Sequence, residues 1–307
     1  MRNIIAPAAL AAMAAVLPAQ EGGGRSPIEA GAALERLPGS YTFTEGPCAD
    51  ARGRVYFTDQ PNDAIYRWNL DGSVSLFMKP AGRSNGMNFA RDGRLIACAD
   101  EGNQLWSIDP EAADPAASRR VLASVYKGRP LNGPNDVYVL PDGGAYFTDP
   151  LYVRDYWKPG IRRQDREEVY YLAPGAQAPL RVTSDLVKPN GIIGTPDGKF
   201  LFVADIRAGL TWRYRIMSDR GLAEKTLFCR MGSDGMTIDA EGNLYLTGRG
   251  VSGFNPSGAQ IAHVEVAENW TSNVCFGGSD RRWLFITAST GLYRIRTRVS
   301  GAHAIGK

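Results

Sequence analysis

Histidine is almost missing from this chain. Its 307 residues include two, His263 and His303. A Ser-His-Asp machine therefore has no obvious histidine to work with. Cysteine is equally thin: Cys48, Cys98, Cys229 and Cys275 show no CxxC or Cys/His spacing, which argues against a zinc site. Net charge is only +3, and no basic run with interleaved aromatics appears, so the chain carries no nucleic-acid footprint. After residue 20 no apolar stretch is long enough to span a bilayer. No pattern in the chain points to a particular oligomer.

What the chain has in quantity is one phrase, repeated. Asn135 leads into Val137-Tyr-Val, a Pro-Asp-Gly turn and a second strand that ends at Asp149. The same order of a small polar residue, a short strand, a turn and an apolar strand recurs behind Glu45, Asn85, Asn190, Asp234 and Asn273. The intervals between these lead residues are 40, 50, 55, 44 and 39, the range expected of four-stranded propeller blades. Third strands follow, such as Ala64–Trp68 and Gln104–Ile108, and fourth strands such as Val74–Phe77. The fold this predicts is all-β, a six-bladed β-propeller of four-stranded antiparallel blades around a central channel.

Chain direction then places the chemistry. The lead residues start the innermost strands, so they ring one mouth of the channel, and the loops after the second strands crown the same face. The longest of these, about 150–168, carries Tyr152, Tyr156, Trp157, Arg162 and Arg163. A long loop without its own structure usually serves function, and this one reads as a lid or specificity wall. Asp59, Asp100, Asp149 and Asp205 end second strands and read as strand-end caps, with Asp149 the one expected to face substrate because the lid follows it.

The N-terminal twenty residues have a basic start, an apolar run from Ile4 to Leu17 and small residues before Gln20, the plan of a secretory signal peptide. Residues 21–34 then form a flexible segment, and 35–307 the propeller, with Glu35 to Thr44 expected to supply the outer strand that closes the last blade. Export implies a secreted or periplasmic protein. Cys48 and Cys275 hold matching places in blades one and six, so a bridge between them is open in an oxidising compartment. Buried free thiols are the favoured account.

All six lead residues are carboxylates or carboxamides. A ring of such oxygens around a channel suits a hard divalent cation, Ca²⁺ first, with Zn²⁺, Mg²⁺ or Mn²⁺ as alternatives. Asx-Gly is also a common turn former, which explains any single copy but not Glu45, a poor turn residue in the same register.

Glu45-Gly-Pro, Ser84-Asn-Gly-Met87, Leu131-Asn-Gly-Pro-Asn-Asp136, Lys188-Pro-Asn-Gly191, Ser233-Asp-Gly-Met236 and Asn273-Val-Cys-Phe-Gly-Gly278 resemble the motifs of bacterial gluconolactonases in the SMP-30/gluconolactonase/regucalcin group. The resemblance runs from about residue 35 to 297. It implies one divalent metal, usually calcium, held by Glu45, Asn190 and Asp234, with Asn135 joining them or holding substrate. The implied reaction is hydrolysis of a sugar lactone to its aldonic acid, the metal polarising the carbonyl and Asp234 acting as general base. Attack by hydroxide generated on the metal is the alternative. Asn85, Arg83 and the 150–168 loop, Tyr152 included, would orient the sugar. Animal members of the group carry an arginine two residues before the channel asparagine; here that position is Gly133, so specificity comes from elsewhere.

Three other functions are weighed against this one. A phosphotriesterase-type hydrolase with a similar metal ring would prefer an aryl phosphotriester to a lactone. A non-catalytic metal- or partner-binding propeller has no need of Glu45, Asn135, Asn190 and Asp234 together. A strictosidine-synthase-like role would want a differently placed acid.

Overall fold

The structure is a computed structural model and describes residues 25–160 and 163–302. Six four-stranded antiparallel sheets form the blades. Blade one runs Thr44–Ala49, Val55–Asp59, Ala64–Trp68 and Val74–Met78; blade two runs Ser84–Phe89, Leu95–Ala99, Gln104–Ile108 and Arg120–Ala123. Blades three to five begin at Val137, Pro189 and Met236. Blade six takes three strands from Thr271–Gly277, Trp283–Ala288 and Gly291–Arg296, and its fourth from the other end of the chain. Glu35 pairs with Arg294 and Arg36 with Tyr293, so the expected N-terminal closure is present. It zips the ring shut and leaves no long inner edge open.

The closure starts earlier than residue 35. Ile28 bridges to Thr297 and is buried in the core of blades five and six, and the Arg298 amide donates to the Pro27 carbonyl at 2.8 Å. The boundary between a flexible segment and the propeller therefore moves back to about residue 26. The proposed signal peptide, residues 21–24, Arg162 and His303 lie outside the described residues.

Second strands such as Val55–Asp59 and Ala145–Asp149 are buried on both faces, because each blade is covered by its two neighbours. That is why they read as unbroken apolar runs rather than alternating ones. Outer strands such as Val74–Met78 are half exposed. Tyr56, Tyr138, Tyr146, Tyr170, Tyr245, Phe57, Phe147 and Phe285 fill the space between blades.

The innermost strands are irregular where the lead residues stand. Strand register shifts between Glu45 and Cys48, Ser84 and Met87, Pro189 and Ile192, and Thr271 and Asn273. In blades three and five pairing begins only after the lead residue. A bulge re-aims the side chain beside it, and here it recurs at the channel mouth. The glycine after the lead residue has a packing cause. A Cβ on Gly46, whose φ is 43°, would lie 2.0 Å from the Asn85 carbonyl oxygen of the next blade. On Gly235 it would lie 1.9 Å from the Asn273 carboxamide carbon. Glycine lets neighbouring inner strands close around a narrow channel.

Candidate active site

Three of the expected ligands converge. The Asn190 amide donates to Asp234 Oδ1 at 2.7 Å and to the Tyr152 hydroxyl at 3.0 Å. Glu45 is buried, and the charge of Asp234 acts directly on it. Burial first and the Asp234 charge second push the Glu45 carboxyl well above the usual range, against the pull of the Gly46 N–H and Arg154. Burial also raises Asp234, to about 6, while Trp270, Asn190 and Arg154 hold it down. Two carboxyls buried together resist double ionisation, and a cation between them would relieve both.

The carboxamides complete the donor set. Asn190 Oδ1 is buried and has no hydrogen-bond partner among the described residues. An acceptor left this way costs about 1–3 kcal/mol, which a bound cation would recover. Asn135 and Asn85 are 6% and 5% exposed, and neither carboxamide bonds to another of the described residues, so both stay available to the channel. Among the described residues no group of three or more His, Cys, Asp or Glu converges to hold a metal. The donors are oxygens of two carboxylates and two carboxamides, the chemistry of a hard cation rather than of zinc.

Asp149 does not face substrate. Its oxygens accept the Asn132 and Gly133 amides at 2.9 and 2.8 Å, and it is fully buried. Asp59 does the same for Thr42 and Phe43, and Asp205 for Val187 and Lys188. Each carboxylate thus ties down the two residues that lie three and two places before the lead residue. The assignment of Asp149 to substrate is corrected: both its oxygens are committed to backbone.

The exception is Asp100. In blade two the Arg83 amide is held instead by Asp63 Oδ1, at 2.7 Å. Asp100 is left to accept from Arg154 Nε at 2.8 Å, the Tyr156 hydroxyl at 2.5 Å and Gln60 Nε2 at 3.0 Å. Trp157 Nε1 reaches its carbonyl at 2.8 Å. Arg154, Tyr156 and Trp157 thus dock their part of the loop on Asp100, and Tyr152 touches Asn190. Arg83 supports this loop: Nη1 donates to the Pro61 carbonyl at 2.8 Å and its guanidinium lies 4.5 Å from the Tyr156 ring centre. Asn273, though a lead residue, is spent within the protein: its Oδ1 accepts the Val274 amide, and its side chain bonds Asp136 and fills the space beside Gly235.

Three functional residues escape the repeat reading. Trp270 stands three places before Asn273 and donates Nε1–H to Asp234 Oδ2 at 2.6 Å. Asp136 stands where four of the five other copies have glycine, and that substitution is its signal in the sequence. It is buried beneath the site, and desolvation, opposed by the Val137 and Ile192 amides, pushes it up to about 8. Arg154 lies in a loop, where no strand periodicity marks it.

These features define a six-bladed propeller with an axial pocket of oxygen donors beneath a docked loop. The model of the SMP-30/gluconolactonase/LRE-like region matches residues 43–290, and the chain belongs to that family. It is 29% identical to a gluconolactonase of Zymomonas mobilis over 87% of this chain and 82% of that one. A solved structure of a gluconolactonase from Xanthomonas campestris superposes with a TM-score of 0.80 at 26% identity, covering 92% of this chain and 97% of the other. A calcium-binding regucalcin of Agrobacterium tumefaciens, 19% identical with a TM-score of 0.68 over 89% and 98% of the two chains, shares the fold.

Proposed function

We propose that this protein is a calcium-dependent lactonase that opens a sugar lactone to its aldonic acid. The observation that carries the proposal is the meeting of Glu45, Asn190 and Asp234, with Asn190 Oδ1 buried and unpartnered among them. Glu45, Asn190 and Asp234 would hold the cation, with Asn135 as a fourth donor or a substrate contact. A bound calcium ion supplies Lewis acidity toward the ester carbonyl.

The chain's own residues do the rest. Asp234 is aimed from both sides, by Asn190 at Oδ1 and Trp270 at Oδ2. A carboxylate raised toward neutrality and fixed in place is suited to accept a proton from the attacking water. Tyr152, Asn85 and Asn135 present a hydroxyl and two carboxamides to a polyhydroxylated ring. The docked loop shields the mouth from bulk water.

Export through residues 1–20 belongs to the same proposal and is supported by the basic start and the apolar run to Leu17. No helix among the described residues is long and apolar enough to cross a membrane. The test of the activity is acid release from a panel of aldonolactones, uncharged non-sugar lactones and an aryl phosphotriester. Fastest turnover of an aldonolactone supports the proposal, and preference for the phosphotriester refutes it.

A further inference from the structure

One side chain at the mouth is explained by neither the repeat nor the donor set. Arg154 projects from the loop after blade three, and its guanidinium lies 5.6 Å from the ring centre of Tyr152, which itself bonds Asn190. Asp100 holds only the Nε of that guanidinium. The two Nη groups have no protein partner among the described residues, and the side chain is 27% exposed. Its charge is felt by both Glu45 and Asp234, which it pulls back from the values that burial imposes.

The neighbouring cations are committed elsewhere. Lys188 bonds the Leu151 carbonyl at 2.9 Å and pairs with Glu167 at 3.2 Å. Arg163 bonds the Asn132 carbonyl and Asn103 Oδ1, both at 3.1 Å. Arg83 is turned to Pro61 and Tyr156, and its Nε, though without a partner among the described residues, is buried. The support behind Arg154 is specific to this blade: Asp63 relieves Asp100 of backbone capping, so Asp100 can bind the loop. Gly133 clears the seat, since a Cβ there would lie 2.9 Å from Asp100 Oδ1 and 3.1 Å from the Trp157 ring.

We propose that Arg154 is the anion-recognising residue of the pocket, its free Nη pair receiving the carboxylate of the ring-opened hydroxy acid and the carbonyl oxygen from which it forms. Asp100 is the positioning residue that aims it. The assignment rests on the lactonase proposal and adds to it. In hydrolysis the water oxygen bonds to the carbonyl carbon and the ring C–O bond breaks. The ring oxygen leaves as a hydroxyl after taking a proton, and the new carboxylic acid releases another. Negative charge therefore appears on the carbonyl oxygen and ends on the product carboxylate. A planar guanidinium that stays charged at any working pH matches a carboxylate's two oxygens.

The test uses the calcium-loaded full protein and the variants Arg154→Lys, Arg154→Gln and Asp100→Asn. Calorimetry measures binding of the hydroxy acid from the best lactone in the panel, or of D-gluconate if none is turned over; kcat and KM are read on the same preparations. Arg154→Gln is expected to weaken acid binding and raise KM by about tenfold or more, the range for losing one charge-assisted contact. Lysine restores part of both, and Asp100→Asn moves them in the same direction by less. Calcium affinity does not fall in Arg154→Gln, because losing a positive charge beside Glu45 and Asp234 cannot weaken cation binding, whereas a merely structural role would lower it together with acid binding. Equal acid binding in wild type and Arg154→Gln overturns the assignment even if lactones are hydrolysed. Acid binding that needs Arg154 without any lactone turnover upholds the anion site and refutes the lactonase. Neither binding nor turnover refutes both.

Discussion

Replacing Trp270 by phenylalanine removes one N–H and little else. The indole donates to Asp234 Oδ2 at 2.6 Å, and its backbone is pinned by Ser289, whose hydroxyl accepts the Trp270 amide at 3.2 Å. Phenylalanine keeps most of the ring and its position. A hydrogen bond to a charged group contributes about 1.5–3 kcal/mol. Trp270 is 42% exposed, so water can take the vacated place, and the lower end of that range applies. A loss near 1.4 kcal/mol at the transition state lowers kcat about tenfold. Asp234 keeps its contact with Asn190, so calcium affinity should fall less than kcat, and Tm should barely move for a half-exposed residue. Initial rates of acid release at saturating calcium, with a parallel calcium titration, measure both. A kcat within about twofold of wild type, in a protein that still requires Asp234, would refute the idea that Trp270 aims the base.

Asp234→Ala should abolish lactone hydrolysis while circular dichroism and cooperative melting persist; retained turnover would remove Asp234 from the chemistry. Gly46→Ala forces a Cβ to 2.0 Å from a backbone oxygen of the next blade and should cost more than about 3 kcal/mol. Gly72→Ala, with φ of 88° and nothing within 4 Å, should cost only the strain of a left-handed residue, about 1–2 kcal/mol in urea melts. Equal losses at the two positions would contradict the packing argument for the repeated glycine. Cys48, Cys98 and Cys275 are buried free thiols whose pKa values desolvation drives upward, so a disulfide reagent at pH 8 should find them only after denaturation. Rapid labelling of any of the three in the native protein would contradict their burial.

The ring itself was legible because its cause is repeated. Glu45, Asn190 and Asp234 announce themselves by register, and the two chain ends had to meet once six blades were counted. The roles of the strand-end aspartates were not legible, because Asp149 and Asp100 look alike in the sequence. What separates them is Asp63, which does the capping for blade two and lies outside the repeat. Trp270 and Arg154 were hidden for a related reason: both come from loops, where position depends on a few side-chain contacts rather than on strand periodicity. Asp136 carried a visible sign, a carboxylate in place of a glycine, whose meaning depends on knowing that the position lies under the pocket.

The central claim is that the converging oxygens of Glu45, Asn190 and Asp234 hold a cation that the reaction needs. It is tested most directly by titrating calcium into chelator-treated protein while following both Tm and lactone turnover. The account predicts that one Kd describes both, turnover saturating with that Kd as its midpoint while stabilisation reaches about 2.7 kcal/mol at a hundredfold excess, and that Glu45→Gln and Asn190→Ala lose both. Full lactone turnover in the chelated protein, with no calcium-dependent change in Tm, would contradict it.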